Sequence, residues 1–115
     1  MKDEIIYIES INENIENIFV FIKDFNIEKY YNDIKTKMAV ERCLENIWEA
    51  VKHLSKETKN KIWKDIPWKE MAWIRDILVH DYLFVDDDII WDVVKNKLPE
   101  INDFIIDYIN IYYKK

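Results

Sequence analysis

The 115-residue chain carries 17 basic and 23 acidic side chains, a formal charge of −6, and half of its residues are apolar. That balance fits one globular domain, residues 1–115, which buries roughly two thirds of the surface its unfolded form exposes and needs no disulfide or structural metal. Glycine is absent and proline occurs only at Pro67 and Pro99. Tight hairpins, phosphate-binding loops and dinucleotide-binding turns therefore lack the residues they require, which excludes Walker and Rossmann chemistry.

From Glu4 to Phe25 the apolar residues Ile8, Ile11, Ile15, Ile18, Ile22 and Phe25 recur at spacings of three and four, which predicts a long amphipathic helix. Asn26 to Asn32 is polar and aromatic and breaks the pattern. Val40, Leu44, Ile47, Val51 and Leu54, with Ile34 and Met38 leading in, predict a second long helix ending near Leu54. Ser55 with Thr58 reads as a helix start or turn, and Lys56 to Lys64 carries one short helix around Ile62 and Trp63. Pro67 suits a first helical position, and Met71, Ile74, Ile77 and Leu78 form the stripe of a third helix from Pro67 to about Val79. One of Asp86, Asp87 and Asp88 caps the next helix, whose Ile90, Val94 and Leu98 face inward. Pro99 kinks that helix or begins a new one, and Ile101, Ile105, Tyr108 and Tyr112 extend the apolar face toward Lys114 and Lys115.

No run alternates with period two between turn residues, so the fold class is all-α, an antiparallel bundle of about four to five helices. Tyr30, Tyr31, Trp48, Trp63, Trp68, Trp73 and Trp91 are more rings than the inferred stripes accommodate, which places some of them in a protein interface. Cys43 is alone, so an internal disulfide and a thiolate zinc site are excluded, and a buried, merely hydrophobic thiol is expected. No segment approaches the roughly 18 apolar residues of a membrane span, so a cytoplasmic protein without membrane contact is expected. The acidic balance argues against broad charge-driven binding of nucleic acid, and DNA is not an expected partner.

Polar groups beside an apolar stripe concentrate in Trp73 to Tyr82: Arg75, Asp76, His80 and Tyr82. On a straight helix Arg75 and His80 lie about 140° apart around the axis and about 7.5 Å along it, so they converge only if the helix ends near Val79, or if a neighbouring element or a second copy completes the site. Converged, they suit cleavage of RNA without metal. His80 takes the 2′-hydroxyl proton or protonates the leaving oxygen, and Arg75 holds the phosphate with its planar fork of donors. The plainer alternative is a helix-end or buried histidine, with Arg75 paired to Asp76 or Asp81. His53, near the end of the second helix, reads as structural. Asp86 to Asp88 with His80 has the composition of a hard-metal site, but consecutive residues project in different directions and capping explains them more simply. Neither a metal nor a cofactor is called for. Lys56, Lys59, Lys61 and Lys64 form a basic cluster that fits either RNA phosphate or, more ordinarily, solvent.

The segment Arg75-x4-His80 resembles the Arg-x4-6-His signature of the HEPN superfamily, and Arg75-x4-His80-x-Tyr82 resembles its HepT-like toxin branch. The similarity spans nearly the whole chain. It takes in Ile47-Trp48-Glu49-Ala50, Ile66-Pro67-Trp68, Val85-Asp86, Ile90-Trp91-Asp92-Val93-Val94 and Leu98-Pro99-Glu100. Trp48 and Trp73 stand where the family commonly has small residues, so the second and third helices must pack differently there. The resemblance implies an endoribonuclease toxin of a type II toxin–antitoxin pair, with Arg75 and His80 catalytic and Asp76 orienting one of them. It also implies a symmetric dimer that sets two Arg/His pairs along one cleft. The implied partner is a minimal nucleotidyltransferase antitoxin that transfers AMP to Tyr82, where charge and bulk beside His80 would block RNA. From a different class, a non-catalytic helical module would use the same cleft to hold a nucleotide or the partner. A dimeric adaptor with an aromatic surface is a third reading.

Overall fold

The computed structural model describes residues 4–62 and 86–113, all of it helix, turn or cap with no strand among the described residues. Helix α1 (Ile5–Phe21) buries Ile8, Ile11, Ile15 and Ile18, as their spacing requires. It stops short of the expected Phe25. Asp24 adopts φ 63°, and the Phe25 N–H donates to the Ile22 carbonyl at 2.9 Å, closing a turn. In a chain without glycine, aspartate is among the few residues that tolerate the left-handed region. Ile22 remains buried and Phe25 half-buried, so the apolar spacing runs on past the end of the helix.

Asn26 to Asn32, expected as a break, holds the short helix α2 (Ile27–Asn32). The Asn26 side chain accepts from the Lys29 N–H at 2.8 Å, a strong N-cap that makes up for a weak stripe. Asp33 does the same for α3 (Ile34–Lys52), accepting from the Thr36 N–H at 3.0 Å. Val40, Leu44, Ile47 and Val51 of α3 are buried as expected, and Leu54 follows them just beyond the helix. Ile34 and Met38, expected to lead into that stripe, are instead 69% and 67% exposed. At about 100° per residue Met38 points some 160° away from Val40, so the two residues belong to the opposite face.

Helix α4 (Lys56–Ile62) forms where the lysine-rich stretch predicted one. Helix α5 (Asp87–Asp92) begins at Asp86, whose carboxylate accepts from the Asp88 and Ile89 N–H groups at 2.9 and 3.4 Å. A π-helical turn, Val93–Lys97, then leads directly into α6 (Leu98–Tyr112), which carries Pro99 in its first turn. Pro99 has no N–H for the carbonyl one turn back and its ring crowds that carbonyl, so the widened turn before it lets the helix re-register rather than stop.

One continuous core results. Helix α1 packs chiefly on α3 and also on α6, α2 meets α3 and α5, and α4 rests on α6. Ile90, Val94, Leu98, Ile101, Ile105 and Tyr108 are buried, while Tyr112, in the last turn, is half-exposed against the Tyr108 ring. Tyr30 is fully buried with its ring 5.3 Å from Trp91, and Trp91 and Trp48 pack against the core. These three rings therefore serve the interior, where α2 and α5 converge over α3 and make room for them, while Tyr31 stays exposed.

Candidate functional site

Arg75, Asp76, His80 and Tyr82 lie outside the described residues, as do the expected third helix from Pro67 to Val79 and the rings of Trp63, Trp68 and Trp73. The structure does describe how the chain is held immediately before and after residues 63–85.

Before them, α4 is tied to the start of α1 by a buried polar clamp. Ser55 occupies the N-cap, where its hydroxyl accepts from the Thr58 N–H at 3.1 Å. In a capping box the residue three positions on would return a carboxylate to the N-cap N–H. That position is Thr58, and Glu4, from 51 residues away in sequence, supplies the carboxylate instead. Glu4 Oε1 accepts from the Ser55 N–H, and Oε2 accepts from the Thr58 hydroxyl at 2.6 Å and from the Ser55 hydroxyl at 3.4 Å. Burial by itself pushes the Glu4 carboxyl upward, but the bonds from Thr58 and Ser55 together hold it below the ordinary carboxylate range.

After them, Asp86 caps α5 and Lys37 of α3 reaches Asp87 at 2.8 Å, both side chains largely covered. Glu41 lies on the same side. Burial raises its carboxyl, the Asp87 charge raises it further, and Lys37 offsets part of the rise. The Tyr30 hydroxyl is buried beside these charges with no hydrogen-bond partner among the described residues, and burial, then Glu41 and Asp87, push its ionisation far above the ordinary phenol value. None of these contacts of Glu4, Lys37, Glu41 and Tyr30 is expected from the sequence. Their roles come from contacts between elements far apart in the chain and leave no local signal.

The remaining sequence candidates take structural positions. His53 is the C-cap of α3 and stacks on Tyr7, centroids 4.5 Å apart and planes 10° from parallel, in keeping with the structural role expected of it. The Cys43 thiol is buried and its ionisation pushed up by that burial, so it behaves as a hydrophobe. Within the basic cluster Lys61 is engaged by Glu57 at 3.5 Å and lies over the Tyr112 ring, whereas Lys56 is exposed. No group of three or more His, Cys, Asp or Glu side chains among the described residues is arranged to hold a metal ion. No helix among them is long and apolar enough to cross a membrane.

Comparison with known proteins gives the frame its context. The family model described as "Ribonuclease HepT-like" matches residues 11–107, a span that contains Arg75, His80 and Tyr82. A candidate RNase of Methanocaldococcus jannaschii is 42% identical over 110 residues, covering 92% of this chain and 90% of its own. The probable ribonuclease HepT of Thermococcus cleftensis is 41% identical over 95 residues, covering 83% and 86% of the two chains. A candidate RNase of Caldanaerobacter subterraneus is 39% identical over 101 residues, covering 88% and 89%. No solved structure matches the chain significantly. With a family match over most of its length and relatives this similar end to end, the chain belongs to the HepT-like ribonuclease family.

Proposed function

We propose that the chain is the endoribonuclease toxin of a type II toxin–antitoxin pair, acting in the cytoplasm as a dimer of single-domain subunits. The observation that carries this reading is the family match over residues 11–107, within which Arg75-x4-His80-x-Tyr82 falls. The RNA 2′-oxygen attacks the adjacent phosphorus, the bond to the 5′-oxygen breaks, and a cyclic phosphate and a 5′-hydroxyl result. His80 takes the 2′-hydroxyl proton or returns one to the leaving oxygen, and Arg75 holds the phosphate as charge builds on it. Asp76 orients one of these two side chains. Because the step is proton transfer plus charge stabilisation, it needs no metal ion.

Control comes from a nucleotidyltransferase antitoxin. The Tyr82 oxygen attacks the α-phosphorus of ATP, pyrophosphate leaves, and the AMP now attached sets negative charge and bulk two residues from His80, where an RNA phosphate would be repelled.

The test is RNA cleavage by unmodified protein in excess chelator, comparing wild type with Arg75→Ala and His80→Ala and mapping the product ends. Cleavage by wild type alone, leaving cyclic phosphate ends, is the expected result. A strict requirement for a divalent ion overturns the mechanism. Tyr82→Phe should keep most of the cleavage and lose AMP addition by the partner, read by intact mass. Unchanged addition would move the acceptor elsewhere.

A further inference from the structure

The negative charge of the chain is gathered on one face. Helices α1 and α6 lie side by side and antiparallel. Phe19 and Ile22, near the end of α1, meet Pro99 at the start of α6. The Asn12 side chain donates to the Asn102 side-chain oxygen at 2.8 Å midway along, and Tyr113, just past α6, feels the charge of Glu4 just ahead of α1. Neither helix carries a lysine or an arginine. Glu9, Glu13 and Glu16 of α1 and Glu100, Asp103 and Asp107 of α6 are all exposed. They equal in number the net charge of −6, so the rest of the chain is neutral. At about 100° and 1.5 Å per residue, each trio falls within an arc of about 60° on its own helix and extends about 10.5 Å along it. The same geometry places the buried stripes of both helices on one side of the Asn12–Asn102 bond and the two carboxylate ladders on the other, solvent side.

A face of this kind excludes most occupants. None of the six carboxylates forms an ion pair among the described residues, and like charges one helical turn apart destabilise the helix that carries them. RNA and anionic lipid are repelled. A second copy docked through the same face would set the ladders against themselves, because a two-fold interface is built from one patch used twice. A metal ion is not the occupant either, since no three His, Cys, Asp or Glu side chains among the described residues are arranged to hold one. Aliphatic side chains stand exposed among the carboxylates. Ile6 and Val20, near the two ends of α1, are 62% and 70% exposed, and Ile106 of α6 lies between the ladders. They offer nothing to a hydrated small cation but complement a protein surface that sets apolar residues between cations.

We propose that the α1/α6 face is the docking surface for a basic amphipathic helix of a partner protein, whose Lys and Arg side chains meet the two carboxylate ladders while its apolar stripe covers Ile6, Val20 and Ile106. Charge complementarity carries the choice of partner. The shape follows from the frame: α1 has 17 residues and is about 25 Å long, and two antiparallel helices leave a groove along which a third can lie. Cations recurring every three or four residues on such a helix match the spacing of the carboxylates on both walls. The remaining faces of the bundle, neutral in sum, are left for RNA and for a second copy. The docking surface is thus compatible with the ribonuclease reading and does not depend on it.

The probe is a fluorescein-labelled helical peptide of leucine and lysine, as long as α1, and a leucine–glutamate peptide of the same pattern is its counterpart. Dissociation constants are read by fluorescence anisotropy on the full chain at low and at physiological ionic strength. Wild type is compared with Glu13→Gln/Asp103→Asn, which removes one carboxylate from each ladder, with Ile6→Ser/Val20→Ser, and with the control Glu28→Gln/Glu57→Gln. Glu28 and Glu57 are exposed on α2 and α4, so the control removes the same two charges away from the groove, and far-UV circular dichroism confirms that all four proteins fold. The ladder variant should bind the lysine peptide about tenfold more weakly than the control at low salt, with the gap narrowing as salt rises. Ile6→Ser/Val20→Ser should weaken binding about threefold at both ionic strengths, since it removes apolar area and no charge. A ladder variant that matches the control, an apolar variant that matches wild type, or equal binding of the glutamate peptide overturns the proposal. Loss of self-association in Ile6→Ser/Val20→Ser, read by light scattering, assigns the face to a second copy and overturns it as well.

Discussion

Replacing Glu4 tests whether the clamp between α1 and α4 stabilises the fold as its geometry requires. Glu4 is 6% exposed and Thr58 4% exposed, so water cannot take over the donors that Glu4→Ala leaves behind. Two of its bonds are close, those from the Ser55 N–H and the Thr58 hydroxyl. At about 1.5 kcal/mol for each hydrogen bond to a charged acceptor, the loss should be about 3 kcal/mol, and about half of that for Glu4→Gln, which keeps one carbonyl acceptor. The carboxyl is held below its ordinary value of 4.5 in the folded protein. Its contribution is therefore fully present above that value and is lost as the pH falls through the lowered folded value. Urea unfolding followed by tryptophan fluorescence should show wild type and Glu4→Gln well separated at neutral pH and converging in acid below the folded value. A Glu4→Ala loss below about 0.5 kcal/mol at pH 7, or a separation that persists unchanged in acid, would refute the reasoning.

Tyr30→Phe removes a buried hydroxyl that has no partner among the described residues, so it should leave stability unchanged or raise it by up to about 1 kcal/mol, whereas Tyr30→Ala should lose about 3–5 kcal/mol through its cavity. A larger loss for the phenylalanine variant would mean that the hydroxyl is bonded in solution. Glu41→Gln should raise the melting temperature at neutral pH. Burial and Asp87 raise the Glu41 carboxyl, so the folded state takes up a proton more readily than the unfolded chain and holding the ionised form is unfavourable. The gain should shrink as the pH falls through the raised value and vanish below the ordinary carboxylate value. A destabilised neutral-pH variant would show instead that the Glu41 charge is needed beside Lys37. A dimer at micromolar concentration is also expected, and a monomeric mass by light scattering would remove the two-copy cleft.

Much of the helical frame is legible one segment at a time because the interactions that define it are local. The stripe from Ile8 to Ile18 needs only the pitch of a helix to end up on one face, and the Ser55–Thr58 and Asp86–Ile89 caps join residues three apart. Reading fails where two signals compete. Asn26 starts a helix whose apolar stripe is too weak to announce it, and Ile22 and Phe25 keep helical spacing through a turn made at Asp24. The candidate site is legible in a different way, through the spacing of Arg75, His80 and Tyr82 and the resemblance built on it.

Periodicity and composition alone settle that the described residues are helical and where the main apolar stripes of α1, α3 and α6 run, since side-chain direction on a helix follows from sequence spacing, although the lead-in residues Ile34 and Met38 of α3 fall outside its stripe. Tertiary structure alone decides which distant groups complete those local devices. Glu4 finishes a capping box opened 51 residues later, Lys37 holds the start of α5 through Asp87, and Tyr30 is interior because Trp91 closes over it. The physical reason is common to all three. A helix pattern specifies directions around one axis, whereas a polar or ring contact between elements depends on where two axes lie relative to each other, and that is determined by the packing of the whole core.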